Sequence, residues 1–298
     1  MLNFGFKRLF SLFLLISSTS VLVAEEIPVE EFFCDSALSG VTLSPDGKKY
    51  AALVPVNGPA CAVEEDDDPQ SARVLLVMDL ETKKPIILSG TADYARIVQF
   101  FWLNDERIGF YKQPTRGLDA YDLWAIDIDG KNLKKLVPGK WEDGYATGAS
   151  VSFLMDDDPD HVLIEYNKRR PKYTDIYKLN IYSGRLTTLA IDPVLGNNTL
   201  MGWAIDQQGN VRGYMAMDGL KYKLYHRNDV NKDFELLREF TYQEAMFMPQ
   251  TYDYDPRYVY VVGQPIAKDG TILDNSDTDA LWKYCLLYTS DAADEFMG

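Results

Sequence analysis

Histidine and cysteine are scarce in this 298-residue chain: two histidines, His161 and His226, and three cysteines, Cys34, Cys61 and Cys285. That scarcity narrows the chemistry. Acyl transfer on an α/β-hydrolase scaffold needs a G-x-S-x-G turn with a histidine beside the serine. No such pentapeptide occurs, and Ser89 in LSG and Ser150 in GASVS do not fit it. His161 follows a Pro-Asp turn and His226 precedes an Asn-Asp turn, so both read as strand residues rather than bases. HExxH, GxxxxGK[ST] and CxxC are absent as well, which excludes zinc-peptidase, P-loop and dithiol motifs. No catalytic, cofactor-binding or metal residue is assigned, and no cofactor is expected.

Long apolar runs are missing beyond the N-terminus. Lys7 and Arg8 precede LFSLFLLI at residues 9–16, and a small-polar SSTS and VLVA lead to Glu25. That is the pattern of a signal peptide over 1–24, cut after Ala24; a single anchoring helix is the alternative. A periplasmic or secreted location is expected, with no membrane contact after cleavage. Basic residues are outnumbered, 30 to 45, giving a formal charge of -15. Removing Lys7 and Arg8 with 1–24, which holds no acid, takes it to -17. Such a surface repels phosphate backbones, so nucleic acid is not an expected partner. An exported chain can form disulfides, and Cys34 with Cys61 is the pair to consider; two free thiols are the alternative. Oligomeric state is not legible.

What is present is aromatic and repetitive. Phe, Trp and Tyr make up 13% of the chain, a bias toward strands. One unit recurs: strand, polar turn, strand, connector, then a second strand–turn–strand. The first turns at Ser44-Pro45-Asp46-Gly47 and Glu81-Thr82-Lys83, the second at Asn104-Asp105 and Asp129-Gly130, the third at Pro159-Asp160 and Ser183-Gly184. The fourth turns at Gln208-Gly209-Asn210, and the fifth reads TYDYDPRYVYVVG and then DALWKY. The leading turns fall near residues 46, 105, 160, 208 and 255, spaced by 59, 55, 48 and 47. Four antiparallel strands per repeat of about 50 residues indicate an all-β β-propeller with about five recognisable blades, incomplete. A single blade cannot bury both faces alone, so Phe100, Phe101, Trp102, Leu123, Trp124, Ile126, Trp203, Tyr258 and Tyr260 are expected to pack between blades.

The opening VEEFFCDSALSGVTLSPDGKKYAAL, with FWLNDERIGF, GWAIDQQGNVRG and YDYDPRYVYV, resembles the N-terminal propeller of prolyl oligopeptidase family serine peptidases of the dipeptidyl-peptidase and acylaminoacyl-peptidase type. The resemblance covers about residues 27–284. It implies a parent of seven or eight blades followed by an α/β-hydrolase domain. The propeller would gate access of short peptides, and the triad would lie beyond residue 298. It also implies acidic groups that hold a peptide's amino terminus, with no local motif to place them. A stand-alone exported binding propeller, TolB-like or WD40-like, is the alternative.

Three acidic clusters, at 64–68, at Asp156-Asp157-Asp158 and at Asp274, Asp277 and Asp279, match no calcium loop and read as solvated turns. Asn167-Lys168-Arg169-Arg170-Pro171 is the dense basic patch, either an ordinary charged loop or a contact for a following domain. After Tyr284 the blade pattern stops, and CLLYTSDAADEFMG resembles translated adapter read-through. The expected organisation is therefore a signal peptide at 1–24, a partial propeller at 25–284 and a non-native tail at 285–298. A propeller left open at that point would expose an apolar face and unpaired strand edges.

Overall fold

Each repeat in the sequence becomes one antiparallel sheet. In a computed structural model, residues 38–55, 73–90, 96–113, 119–193, 198–241, 247–264 and 279–286 are described. The first sheet holds β1 (Ser39–Leu43), β2 (Lys49–Pro55), β3 (Arg73–Asp79) and β4 (Pro85–Gly90). The second holds β5 (Arg96–Asn104), β6 (Arg107–Gln113), β7 (Asp122–Asp127) and β8 (Lys134–Val137). A two-stranded hairpin follows, β9 (Lys140–Glu142) and β10 (Tyr145–Thr147). The third sheet holds β11 (Ala149–Leu154), β12 (His161–Arg170), β13 (Tyr173–Asn180) and β14 (Leu186–Ala190). The fourth holds β15 (Thr199–Ile205), β16 (Val211–Asp218), β17 (Lys221–His226) and β18 (Glu235–Thr241). The fifth holds β19 (Phe247–Tyr252), β20 (Tyr258–Gly263) and β21 (Ala280–Cys285).

Strands pair strictly in chain order within every sheet, the meander of a propeller blade. The first strands of neighbouring sheets approach one another, β1 with β5 and β15 with β19, so they form the inner edge. The turns behave as their residues dictate. Gly47 and Gly130 sit at φ of +69° and +83°, where a Cβ would be strained. Asp79 and Asn180, each at the end of a third strand, accept N–H groups from the turns that follow, Thr82 at 2.7 Å and Ser183 at 2.7 Å.

Period-two alternation sends successive residues of a strand to different neighbours. From β12, Val162, Ile164 and Tyr166 pack on the second sheet with Leu103, Leu123 and Ala125. Leu163, between them, packs on the fourth sheet with Val211 and Trp203. From β6, Ile108 and Phe110 face the first sheet, meeting Ala51, Leu53 and Val77. A fourth cluster joins Leu224 and Phe240 to Phe247, Val259 and Val261 across the fourth and fifth sheets. Each such side chain contributes about 1.5–3 kcal/mol when fully buried. Most of the buried apolar clusters therefore lie between sheets, with a smaller one, Tyr214 and Ala216 with Tyr225 and Phe234, inside the fourth.

Most expected inter-blade aromatics do pack there, but Tyr258 and Tyr260 do not belong to the core. The parity of β20 turns Val259 and Val261 inward instead, and the Tyr260 hydroxyl donates to Asp253 at 2.9 Å. The β9–β10 hairpin had no counterpart in the repeat pattern; its strands are three residues long, and only Asp143-Gly144 marked the turn. The last strand runs through Cys285, opposite Tyr258, one residue past the expected domain end. Leu286 is buried, and its N–H donates to the Arg257 carbonyl at 2.7 Å. Residues 1–24, Cys34, Cys61, 64–68, Asp274, Asp277 and 287–298 lie outside the described residues. Among the described residues no helix is long and apolar enough to cross a membrane.

Candidate functional site

A cavity of about 280 Å³ opens beside the inner strands of the third, fourth and fifth sheets. Its walls include Phe153 from β11, Glu165 from β12, Trp203 from β15, and Thr251 and Tyr252 from β19, with Gln207 at the rim. The local sequence explains the placement. HVLIEYN alternates between two inter-sheet faces, and Glu165 falls on the same parity as Leu163, toward the fourth sheet. The carboxylate stands between Ile176 of β13 and Ser150 of β11. Burial raises its pKa above the ordinary glutamate value. Among the described residues it has neither a cation nor a hydrogen-bond donor as partner.

The walls are fixed by hydrogen bonds to neighbouring strands and to one another. Trp203 donates its indole N–H to the Thr174 carbonyl at 2.8 Å. Gln207 Nε2 donates to Thr251 Oγ1 at 3.0 Å and to the Tyr252 carbonyl at 2.9 Å, tying the fourth sheet to the fifth. The Tyr252 hydroxyl lies 3.0 Å from His226 Nδ1, and His226 Nε2 lies 3.0 Å from Asn228 Oδ1. Because the Asn228 oxygen accepts, Nε2 carries the proton and Nδ1 accepts from Tyr252. Burial pushes the Tyr252 phenol upward and the His226 imidazole downward, holding both neutral near pH 7. The cavity thus offers a ligand one negative group beside the rings of Phe153, Trp203 and Tyr252, with Ser152, Gln250 and Thr251 as polar neighbours. That arrangement fits an ammonium or guanidinium carried on a small apolar body.

The histidines and charged clusters fall elsewhere. His161 Nδ1 lies 2.8 Å from Asp158 Oδ1, and Lys178 Nζ lies 2.6 Å from Asp158 Oδ2, so Asp158 of the second acidic cluster closes a turn. Neither histidine is hydrogen-bonded to a serine among the described residues. Nor do the described residues bring together three His, Cys, Asp or Glu side chains able to hold a metal. Cys285 is a free thiol. The basic patch divides: Arg169 makes a bidentate pair with buried Asp175 at 3.0 and 3.1 Å, whereas Lys168 and Arg170 are exposed. Glu165 escaped the sequence reading. The available signal was a lone acid inside the apolar run VLIEY at an inward parity.

No protein-family profile matches the chain. Dipeptidyl aminopeptidase BIII of Pseudoxanthomonas mexicana is 27% identical over 167 residues, 55% of this chain and 21% of that protein. The matched region thus spans about a fifth of that relative's length. Two solved structures share the fold. One is the dipeptidyl aminopeptidase IV assigned in Bacteroides ovatus, with a TM-score of 0.51, 12% identity and coverage of 78% of this chain and 38% of the other. The second is prolyl oligopeptidase B of Galerina marginata, bound to a 35-residue substrate, with a TM-score of 0.51, 10% identity and coverage of 83% and 32%. By sequence over about half its length the chain is similar to one dipeptidyl aminopeptidase, and by fold over most of it to parts of a dipeptidyl aminopeptidase IV and a prolyl oligopeptidase.

Proposed function

We propose that this chain is the substrate-gating propeller of a longer, exported serine peptidase of the prolyl oligopeptidase family, and that its cavity receives the amino terminus of a short peptide. The observation that carries this reading is Glu165, a carboxylate with no partner among the described residues in an aromatic-walled cavity at the inner edge. An uncompensated half-buried charge is costly, and a ligand ammonium removes that cost when it arrives. The similarity to a dipeptidyl aminopeptidase, a name that implies release of dipeptides from a free amino end, supports the same ligand. The serine, aspartate and histidine of catalysis belong to the remainder of the parent. Its location is periplasmic or secreted, as the first 24 residues indicate.

Calorimetric titration with an unblocked dipeptide amide and its N-acetyl counterpart tests the cavity. The unblocked ligand should bind, and either acetylation or Glu165→Gln should weaken it roughly tenfold. Equal binding of both ligands would remove the amino-terminus role. The gene's continuation tests the parent separately. A G-x-S-x-G turn with later aspartate and histidine supports the peptidase, whereas blades followed by a stop codon make the protein a stand-alone binding propeller.

A further inference from the structure

The third sheet carries a hairpin arm that runs past its outer strands. The first residue of β11, Ala149, pairs with Tyr166, and the last of β14, Ala190, pairs with Ile176. Residues 167–170 of β12 and Tyr173 and Thr174 of β13 therefore continue beyond both outer partners, although the Thr174 carbonyl still takes the Trp203 indole N–H. At about 3.3 Å per residue, the two residues of β13 beyond Asp175 carry the hairpin about 7 Å past the sheet, the bulge taking up the extra residues of β12. The fourth sheet has no such extension, since β15 starts opposite Met217 and the β16–β17 turn closes at once with Asp218 opposite Lys221. Ordering each extra residue costs about 1–2 kcal/mol of backbone entropy, and no apolar cluster lies on the arm to offset it.

Instead, the arm is held by polar bonds. The register slips between Tyr166 and Arg170, a bulge that turns β12 toward the β9–β10 hairpin. Asn167 fixes the bulge, donating from Nδ2 to the carbonyls of Ala146 at 2.8 Å and Pro171 at 2.9 Å, and accepting the Gly148 N–H at 2.9 Å. Arg169 is spent on Asp175. Tyr173 lies under both Arg169 and Arg170, and Lys172 lies 5.1 Å from the Tyr145 ring. That leaves Lys168, Arg170 and Lys172 exposed with no carboxylate partner among the described residues, in a chain of net charge -15.

We propose that this arm is a docking element for an acidic polypeptide segment. Three cations with no carboxylate partner among the described residues fall within five residues of one hairpin, Lys168 and Arg170 on β12 and Lys172 in the turn that follows. A single phosphate or sulfate needs convergent donors, whereas carboxylates spaced along an extended chain match a linear array. Glu142, paired across the neighbouring hairpin with Tyr145, whose ring lies beside Lys172, opposes a densely charged polyanion.

The test is fluorescence anisotropy with a labelled heptapeptide bearing glutamate at alternate positions, titrated with the protein at low and physiological salt. Binding should weaken as salt rises. The combined variant Lys168→Glu, Arg170→Glu, Lys172→Glu should weaken it roughly tenfold, while Lys48→Glu with Lys131→Glu, on exposed turns, should leave it unchanged. Arg169 is left intact because it holds Asp175. Unfolding midpoints confirm folding, and glutamine at the same three positions replaces the charge reversal if that variant unfolds. Absence of peptide binding, or equal binding by the arm variant, overturns the proposal. So does tighter binding of a heparin oligosaccharide than of the peptide. Arm-dependent self-association in sedimentation without peptide binding would make a second copy the occupant and overturn it as well.

Discussion

Trp203 donates its indole N–H to the carbonyl oxygen of Thr174 at 2.8 Å, joining the fourth sheet to the third. The ring walls the cavity while its nitrogen anchors to the neighbouring sheet. Trp203→Phe keeps an aromatic face but leaves that carbonyl without this donor. A loss of about 1–2 kcal/mol is expected, read from the urea midpoint at constant m-value.

Arg107 is 1% exposed and ties three segments together. Its Nε donates to the Ile181 carbonyl at 2.9 Å, one Nη to the Asn132 carbonyl at 3.1 Å, and the other pairs with Asp127. Arg107→Met removes the cation and strands its acceptors, at an expected cost of about 3 kcal/mol. Arg107→Lys should recover only part, because one ammonium cannot span all three acceptors. Thermal unfolding of the two variants side by side checks both expectations.

Two strand glycines should respond differently to alanine. At Gly213 a Cβ would lie 2.5 Å from the Tyr225 carbonyl oxygen, a backbone atom held in the β16–β17 ladder. At Gly109 it would lie 2.7 Å from Cε2 of the Phe101 ring and 3.1 Å from Leu103 Cγ, both in side chains. Overpacking costs about 1–3 kcal/mol. Gly213→Ala is expected at or above the top of that range and Gly109→Ala toward the bottom; the reverse order in equilibrium denaturation would contradict the packing argument.

Burial holds the His226 imidazole below its ordinary value of 6.5. The unfolded chain therefore takes up a proton near pH 6.5 while the folded protein resists it. The stability from neutral His226 is present above pH 6.5 and is lost as pH falls toward the depressed folded value. His226→Gln should flatten that limb of the stability curve, measured between pH 7.5 and roughly 5.5.

Glu165 gives the opposite slope. Its folded pKa is raised by burial, so the folded state holds a proton more tightly than the unfolded chain does. Stability from this group is highest in acid and falls as pH rises through the folded value. Glu165→Gln should thus be more stable than the parent at pH 7 and nearly equal to it at pH 4. Equal stability at both values would mean that the carboxylate is solvated and the cavity open.

Much of the fold was legible because its causes are local. Ser44-Pro45-Asp46-Gly47, Asp129-Gly130 and Ser183-Gly184 close hairpins through backbone preferences that need no distant partner. Alternation marked the strands on either side. It could not say which parity faces which neighbour, and so Tyr258 and Tyr260 were expected where Val259 and Val261 pack. Nor could it show that of Arg169 and Arg170, adjacent in sequence and both over the Tyr173 ring, only Arg169 pairs with a carboxylate, that of Asp175.

The chain by itself determined an all-β meander in successive sheets, since strand period and turn chemistry are properties of neighbouring residues. Tertiary structure decided the site. Glu165 is an ordinary acid in VLIEY until Phe153, Trp203 and Tyr252, brought from three other strands, take away its water. Desolvation sums over groups far apart in sequence, and only their assembly in space fixes its magnitude.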